Sequence, residues 1–498
     1  MSARGLRRLT SASLLALAAA SPVAAAPATP AAPAVRGWRD VVKPPLPSFQ
    51  APAPVRIAFP NGLIVFLQED HELPLVSGSI WIRGGSREEP ADKVGLVAIY
   101  GSVWRTGGTS GRTGDALDDF LEARAASVET SGALNVTSLG WSCLKENLDE
   151  VFPVVLELLQ KPEFREDKLA LARRQMETGI SRRNDDAGGI ADREAQRVAY
   201  GADSPYARLA EYTTVRAVTR DDLLAWHREF VHPNNMIVGV TGDFDAKAME
   251  ARLRKAFGSW KRGPAARAVN PPAHAAAPGV YLVDKEDVNQ STLRLVHGGI
   301  RRDNPDYYAI ALMNEILDGG FSGRLMTNVR TKKGLAYTVT GGVGSAYDHD
   351  GLATFGMRTK SDTTAAGIDA LLAEIRSIRG APPTADEMAR ARDSLLNSFI
   401  FRVDSRDKRL YERMRYEIYG YPLDLIERYR PAVEKVTAED VLRVAQKYVS
   451  EEKLAVVVVG RTKDFDRPLD AFGPVTKLDV TIPVPPAAAA PPGTSGQP

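Results

Sequence analysis

Residues that crosslink proteins or bind metals are scarce in this chain. Its 498 residues include a single cysteine, Cys143, and six histidines. One cysteine excludes an intrachain disulfide, and the apolar, strand-like segment around Cys143 predicts a buried, unreactive thiol. His227 and His232 are five residues apart, a spacing that diverges on a helix. We expect surface or turn histidines throughout, with His349 in a turn of solvated acids, YDHDG.

No charge of either sign dominates the composition. The chain has 64 basic and 62 acidic residues and a formal net charge of +2. This balance lacks the basic footprint of nucleic-acid-binding proteins, so we predict no nucleic-acid partner. Hydrophobic residues make up 44% and charged residues 25%, which is typical of a soluble globular protein. The length indicates two or more domains.

The N-terminus has the three parts of a secretory signal. Three arginines lie within the first eight residues, an apolar run follows at 14–20, and small residues lie at 23–26. The run is far shorter than the ~20 apolar residues of a membrane span. We therefore predict a signal peptide at 1–26 and export, with the periplasm as the location and no membrane span after signal removal. Cleavage would leave 61 basic residues against 62 acidic ones.

Segments rich in proline and alanine divide the remaining chain. We predict that residues 27–53 and 481–498 are flexible, because neither can build a core. A third such segment, 262–279, lies near the middle and predicts a linker. It would separate two domains, at 54–261 and 280–480.

The two predicted domains contain matching landmarks. Each pairs a capping threonine, an amphipathic helix and an apolar strand in the same order. Four landmarks recur at a constant spacing of 218 residues: Val218-Thr219 and Val436-Thr437, Asp222 and Asp440, Val231 and Val449, Val240 and Val458. This register predicts an internal duplication. The order of elements predicts α+β modules, each with a mixed or antiparallel sheet covered by helices on one face.

Residues 95–109, GLVAIYGSVWRTGGT, resemble the signature helix of the pitrilysin, insulysin and mitochondrial-processing-peptidase family. That helix has an inverted zinc motif, H-x-x-E-H, whose histidines bind zinc and whose glutamate activates water. In this chain the first ligand position falls on Ala98, the base on Gly101 and the second histidine on Ser102. The family's third ligand, a glutamate from a later helix, falls on Gly179.

These substitutions predict that the chain binds no zinc. Alanine and glycine have no lone pair to donate, and a neutral serine is a poor zinc ligand. Glu177 lies two residues from the third ligand position and would point elsewhere on a helix. We therefore expect no cofactor in this chain.

Residues 319–337, GGFSGRLMTNVRTKKGLAY, are similar to a stretch of the family's C-terminal domain. In the family an arginine and a tyrosine in this stretch reach substrate, and they correspond here to Arg330 and Tyr337. An arginine can bind a peptide carbonyl or carboxylate through its paired N–H donors, and a tyrosine hydroxyl can donate a hydrogen bond to a developing oxyanion. The alternative is that neither residue binds substrate: Arg330 would be a solvated helix residue, and Tyr337 would begin a core strand. The glycine-rich loop implied to touch substrate contains Gly319, Gly320, Phe321 and Ser322.

A second substrate surface is implied at Glu129, Thr130 and Ser131. The equivalent edge strand of the family pairs with an extended peptide backbone. Glu129 departs from the family's usual asparagine, and a buried sheet strand is an equally open interpretation.

The resemblance implies two homologous domains packed as a clam-shell half chamber. It also implies a function, the non-zinc subunit of a heterodimeric zinc metallopeptidase that hydrolyses peptides or unfolded proteins. The partner would be a homologous exported subunit with an intact H-x-x-E-H motif and the zinc, and Arg330 and Tyr337 would act in trans. The alternative is an inactive family member that serves as a peptide-binding or scaffold subunit, like the respiratory-complex core proteins. A peptidase with its own unusual metal site is a third interpretation.

Overall fold

The computed structural model describes residues 53–264 and 276–484. We call these two ranges the first half and the second half. The predicted signal peptide, nearly all of the segment at 27–53, the centre of the predicted linker and residues 485–498 lie outside the described residues. Within the described ranges, no helix combines the length and the apolar character that a bilayer crossing requires.

The first half is built on a six-stranded mixed sheet. Its strands are β1 (Val55–Ala58), β2 (Ile64–Glu69), β3 (Leu75–Arg83), β4 (Ser127–Gly132), β5 (Val136–Leu144) and β6 (Met236–Gly242). The strand order is β1-β2-β6-β3-β5-β4. Strands β2 and β6 are parallel, and every other neighbouring pair is antiparallel.

The second half repeats this plan. Its strands are β7 (Gly279–Asp284), β8 (Gln290–Gly298), β9 (Ile300–Arg301), β10 (Val339–Val343), β11 (Ser345–Ala346), β12 (Leu352–Lys360), β13 (Ala455–Gly460) and β14 (Val475–Lys477). The main sheet has the order β10-β12-β8-β13-β7-β14, and β9 pairs with β11 separately. Strands β7 and β13 are parallel, as are β7 and β14, and the other neighbours in the main sheet are antiparallel.

Five strands of each main sheet correspond in position and direction. Strands β4, β5, β3, β6 and β2 match β10, β12, β8, β13 and β7 in that order. The sixth strand differs, since β1 is antiparallel to β2 and β14 is parallel to β7. The predicted duplication and the α+β class are therefore confirmed.

Helices surround both sheets. In the first half they are α1 (Leu96–Thr106), α2 (Gly114–Glu122), α3 (Leu148–Gln160), α4 (Glu166–Ser181), α5 (Ala187–Tyr200), α6 (Tyr212–Ala217), α7 (Arg220–Phe230) and α8 (Ala246–Phe257). In the second half they are α9 (Tyr307–Asp318), α10 (Thr364–Gly380), α11 (Ala385–Ser398), α12 (Arg406–Tyr419), α13 (Leu425–Lys435) and α14 (Ala438–Tyr448).

Helix caps reproduce the predicted register. Thr219 caps α7 and Thr437 caps α14, each accepting a hydrogen bond from the backbone N–H three residues later. Asp222 and Asp440 complete the two capping boxes by accepting from the backbone of the cap residue. A capping box satisfies two of the amide groups that a helix start leaves unpaired. The same local signal thus begins equivalent helices in both halves.

The two halves exchange a helix. Helix α5 of the first half lies on the second sheet, where Ala195 and Ala199 are buried against Val296 and Val457. Helix α12 of the second half lies on the first sheet, where the side chains of Leu410 and Met414 are buried against Phe66 and Ile237.

The prediction that helices cover only one face of each sheet is therefore wrong. Strand β13 is buried at every residue, and β6 at every residue but its last. Strands covered on both faces have continuous apolar runs in place of polar alternation. The covering helix of each sheet's second face comes from the opposite half of the chain.

Candidate functional site

Helix α1 carries the degenerate zinc motif and begins at a buried acidic cap. Gly95 precedes it with φ +105°, a conformation that favours glycine. The Glu89 carboxylate accepts hydrogen bonds from the backbone N–H groups of Gly95 (3.1 Å) and Val97 (3.0 Å). Burial raises the pKa of Glu89, and these two hydrogen bonds and the charge of Arg208 oppose the rise. Glu89 lies six residues before Gly95 and belongs to no motif that the sequence patterns indicate.

The predicted ligand positions on α1 face different surroundings. Ala98 and Ser102, four residues apart on one helical face, are exposed, whereas Gly101 is buried. A Cβ atom at Gly101 would lie 2.5 Å from the carbonyl carbon of Ser131 and closer still to the amide nitrogen of Gly132. A Cβ atom at Gly132 would in turn meet Val97 of α1. The position of the family's catalytic glutamate therefore has no space for a side chain.

Thr130 bonds strand β4 to the backbone of α1. Its hydroxyl donates to the carbonyl oxygen of Gly101 (2.6 Å) and accepts from the backbone N–H of Arg105 (3.2 Å). These are the two groups that an α-helix pairs four residues apart. The Arg105 side chain also donates to the carbonyl oxygen of Val128 (3.1 Å) and forms an ion pair with Asp118. These polar contacts keep α1 and β4 close together.

Strand β4 lies at the edge of the first sheet, not in its interior. Glu129 and Ser131 are exposed on the face opposite Thr130. The Ser131 hydroxyl lies 2.8 Å from the Ser138 hydroxyl on β5. The alternative of a buried sheet strand is therefore wrong, and Thr130 contacts α1 while its two neighbours face solvent.

The third predicted ligand position, Gly179, is exposed on α4. A Cβ atom there would have no heavy atom within 4 Å. The nearby Glu177 carboxylate accepts from the Arg216 guanidinium at 2.7 and 3.3 Å, so its oxygens are engaged. Across residues 53–264 and 276–484, no group of three or more histidine, cysteine, aspartate or glutamate side chains is arranged to hold a metal ion. The residues at the family's zinc positions do not fit zinc.

Arg330 and Tyr337 meet at an exposed aromatic cluster. Arg330 lies in a π-helical segment, Met326–Lys332, and Tyr337 lies just before β10. The guanidinium carbon of Arg330 is 4.8 Å from the centroid of the Tyr337 ring and 5.1 Å from that of Phe321. Tyr337 is 81% exposed and Phe321 79% exposed. The alternative of a core-strand tyrosine is therefore wrong, and we call these three residues the Arg330 cluster.

The glycine-rich loop shapes the turn that presents Phe321. Gly320 has φ +60°, which favours glycine, and no atom would contact a Cβ there. The Ser322 hydroxyl donates to the carbonyl oxygen of Gly319 (3.1 Å), and a Cβ at Gly319 would clash with Glu315. Of the four predicted loop residues, Phe321 reaches Arg330, and the other three belong to the turn.

The edge strand of the second sheet, β10, is closed by side chains from α9. The Asp318 carboxylate accepts from the backbone N–H of Gly341 (3.2 Å). The Asn314 amide accepts from the N–H of Val343 (2.9 Å) and donates to its carbonyl oxygen (3.0 Å). Capped backbone groups cannot template another strand. Burial raises the pKa of Asp318, opposed by the Gly341 hydrogen bond.

Several histidines are not at the surface, contrary to the sequence prediction. His227 is buried, with its Nδ1 2.9 Å from the Tyr100 hydroxyl and its Nε2 2.9 Å from the carbonyl oxygen of Leu159. His232 and His297 are also buried. Burial lowers the pKa of His227 to about 4. Apolar packing between distant segments buries these rings, and no local pattern predicts that packing.

Asp348, predicted as a solvated turn residue, is a buried junction between the two halves. Its carboxylate accepts from Arg87 (2.5 Å), Tyr206 (3.2 Å), Asn135 (3.3 Å) and the Nδ1 of His349 (2.8 Å). Burial would raise the pKa of Asp348, but the contacts with His349 and Arg87 outweigh it and hold the pKa at about 2. Arg87, Asn135 and Tyr206 come from three distant parts of the chain, so no sequence signal indicates the junction.

Two family models match the chain. The model described as Insulinase (Peptidase family M16) matches residues 64–197, and the model described as Peptidase M16 inactive domain matches residues 217–395. Together they cover most of the described residues.

Relatives of bacterial origin match over most of the chain. A Helicobacter pylori protein named non-peptidase homolog YmxG is 23% identical over 80% of this chain and 92% of its own length. A Bacillus subtilis protein named uncharacterized zinc protease YmxG is 21% identical over 72% of this chain and 86% of its own length. A solved Pseudomonas fluorescens structure, described as a peptidase M16 inactive domain, has a TM-score of 0.76 at 23% identity. It covers 84% of this chain and 99% of the solved one.

Proposed function

Because the chain belongs to the M16 peptidase family, we propose that it is a catalytically inactive member that acts as a peptide-binding or scaffold subunit. The observation that carries this proposal is the contact between Gly101 and Gly132, which leaves no space for a general base on α1. Loss of ligands alone could be repaired by substitution at exposed positions. Loss of the space for the base requires helix and strand to move apart.

The name of the Helicobacter relative, a non-peptidase homolog, supports the same proposal. The N-terminal signal-like sequence supports export to the periplasm, where the substrates or clients would be peptides or unfolded proteins. The Arg330 cluster is the surface we assign to them. A guanidinium stacked on aromatic rings keeps its in-plane N–H donors for a peptide carbonyl or carboxylate, and exposed aromatic rings add apolar contact area.

Metal analysis and a binding assay test this proposal. We expect the purified mature chain to hold no stoichiometric zinc and to leave fluorescent peptides uncleaved, with or without added zinc. We expect it to bind an extended, unstructured peptide in fluorescence anisotropy. Arg330→Ala should weaken that binding at least tenfold, whereas Arg390→Ala, at an exposed position on α11, should leave it unchanged. Hydrolysis by the isolated chain on zinc addition would overturn the proposal.

A second candidate function is the non-zinc subunit of a heterodimeric zinc metallopeptidase. The observation that favours it is the pairing of Arg330 with an exposed Tyr337, whose hydroxyl is free to meet a substrate. The partner would be a homologous exported subunit with an intact H-x-x-E-H motif. Zinc held by that partner would supply Lewis-acid activation of the scissile carbonyl and of water. In this arrangement Arg330 would orient the substrate, and Tyr337 would donate a hydrogen bond to the developing oxyanion.

Substitution of Tyr337 separates the two candidates. In a reconstituted pair, Tyr337→Phe keeps the ring and its stacking on Arg330 but removes the hydroxyl. If the shared-site candidate holds, kcat should fall about 100-fold or more, the size expected for loss of an oxyanion donor. Assembly, followed by size-exclusion chromatography, should be unchanged. Unaltered kcat would remove the second candidate and leave the inactive-subunit proposal standing.

A further inference from the structure

A cavity between the two halves lies beside the Asp348 junction. It has a volume of about 380 Å³ and is lined on one side by α5 and on the other by β12 and the turn before it. This volume falls within the range of small-ligand sites. The polar and aromatic lining residues are Asp192, Gln196, Tyr200, Tyr206, His349 and Thr354.

We propose that this cavity binds a guanidinium or ammonium group, either a free small molecule or a basic side chain of a peptide. The proposal goes beyond the function assigned above, because it uses none of the residues of the Arg330 cluster.

The Asp348 carboxylate fixes the tautomer of His349, whose ring lines the cavity. Its Nδ1 lies 2.8 Å from the Asp348 carboxylate, and a carboxylate only accepts, so Nδ1 carries the proton. In the neutral imidazole, Nε2 is then left with its lone pair. The ring is held in place by stacking on Tyr206, with centroids 3.7 Å apart, and by edge contact with Tyr200 at 5.5 Å. In that tautomer, a ligand that meets Nε2 must donate a hydrogen bond.

The remaining lining groups also favour a donor. Asp192 contributes a carboxylate, whose Oδ1 accepts from Arg294 at 2.6 Å and whose Oδ2 remains for a ligand. Gln196 and Thr354 add side-chain oxygens. No lysine or arginine is among the described residues that line the cavity. A ligand with several N–H donors therefore finds acceptors on both walls.

Aromatic rings and nearby carboxylates add an attraction for positive charge. Tyr200 and Tyr206 both line the cavity, and a cation over a tyrosine face is stabilised by the ring quadrupole. Burial and then the charge of Asp348 raise the pKa of Tyr206 to about 12. Burial also raises the pKa of Tyr200, as do the neighbouring Tyr206, Asp350 and Asp348. The part of these shifts that comes from Asp348 and Asp350 reports negative charge near the two rings.

Calorimetry with N-acetyl-arginine amide tests the proposal on the mature chain. The control ligand is N-acetyl-citrulline amide, which has nearly the same shape and no charge. We expect saturable binding of the arginine compound and at least tenfold weaker binding of the citrulline compound. Free arginine and a Gly-Gly-Arg-Gly-Gly peptide distinguish the two sources of the cation, and tighter binding of either one supports the proposal with that source. Equal binding of arginine and citrulline compounds, or binding of neither, overturns it.

Variants place the ligand in the cavity. His349→Phe keeps an aromatic ring against Tyr206 but removes the ring nitrogens, and Asp192→Asn removes a charge at an exposed position while its amide oxygen can still accept from Arg294. Each should weaken binding of the arginine compound at least tenfold. Thr340→Val, at an exposed position on β10 of the same sheet, is the control and should bind as the parent does. Parental affinity in Asp192→Asn would overturn the proposal even if His349→Phe failed to fold. Neither variant touches Arg330, so this result is independent of the peptide-binding test.

Discussion

Gly101 of α1 and Gly132 of β4 approach so closely that neither position has space for a side chain. A zinc site can be lost through replacement of its ligands or through loss of the space for its base, and this contact shows the second kind of loss. Ala98, Ser102 and Gly179 are exposed, so ligands could be put back there without displacing other atoms. A glutamate at Gly101 would have to push apart a helix and a strand that Thr130 bonds together.

Gly101→Ala should therefore destabilise the fold. One methyl group forced against the backbone of β4 costs about 1–3 kcal/mol in unfolding free energy, as overpacked cores do. Gly179→Ala, at an exposed helical position, should instead stabilise by up to about 0.5–1 kcal/mol, because alanine loses less backbone entropy. Urea unfolding of both variants measures the difference. Equal effects at the two glycines would contradict the close approach.

Because of His227, the free energy of unfolding should decrease as the pH is lowered from 6.5 to 4. The folded-state pKa of His227, about 4, lies below the ordinary value of 6.5. As pH drops below 6.5 the unfolded chain takes up a proton that the folded protein does not, so stability present above 6.5 is lost by pH 4. The loss from this group is about 3 kcal/mol. Unfolding at stepped pH should show a shallower decline for His227→Gln.

His71→Gln is the control for that measurement. The His71 side chain is 60% exposed and contacts Asp243 at the surface, so its removal should change the decline less than His227→Gln does. A His227→Gln profile parallel to the parent would mean that His227 is not buried as a neutral ring.

Leu410→Ala should destabilise the half of the protein that does not contain it. The Leu410 side chain is buried on α12 against Phe66 and Ile237 of the first sheet. Truncation should cost about 2–5 kcal/mol. All six tryptophans precede residue 261, so tryptophan fluorescence reports unfolding of the first half. We expect its transition to shift to lower denaturant in this variant.

Leu171→Ala is the matched control for the exchanged helix. Leu171 is 43% exposed on α4, so its truncation should cost no more than about 0.5 kcal/mol. An unmoved tryptophan transition in Leu410→Ala, with a shift in far-ultraviolet circular dichroism, would show that the halves unfold separately and would contradict the exchange.

Asp348→Asn should cost about 1–3 kcal/mol, because it removes a buried carboxylate that accepts from Arg87 and His349, although Arg87 keeps its ion pair with Glu88. The pKa of Asp348 is about 2, below its ordinary value. Its contribution to stability is therefore fully present above pH 4 and is lost only as pH falls toward 2. Asp350→Asn, two residues away and exposed, should change the unfolding free energy by less than about 0.5 kcal/mol. Thermal unfolding at pH 7 compares the two.

Local signals predicted much of the fold. The threonine caps at 219 and 437 and the apolar strands that follow them recur at one spacing, and both begin equivalent elements of the structure. These signals are readable because caps and strand patterns depend on residues within a few positions of each other. The Arg330 and Tyr337 pair was also identified, through resemblance to a family motif.

Other features depend on residues that are distant in sequence. The second covering helix of each sheet was missed, because α5 has small residues whose partner surface begins about 100 positions later. The YDHDG pattern predicts a solvated turn for Asp348, and this is wrong because its partners Arg87, Asn135 and Tyr206 are far away in the chain. The sequence predicts Phe321 only as part of a loop, and its contact with Arg330 depends on how the turn at 319–323 packs beside the π-helical segment that contains Arg330.

The sequence by itself determined the α+β class, the duplicated plan and the replacement of the ligands at the family's zinc positions, because residue identity and short-range periodicity are sufficient for each. Only the tertiary structure decided that the position of the base is filled by a neighbouring strand, that the halves share their covering helices and that a cavity with a fixed imidazole lies between them. Each of these is a contact between surfaces, and a surface exists only after distant segments have packed.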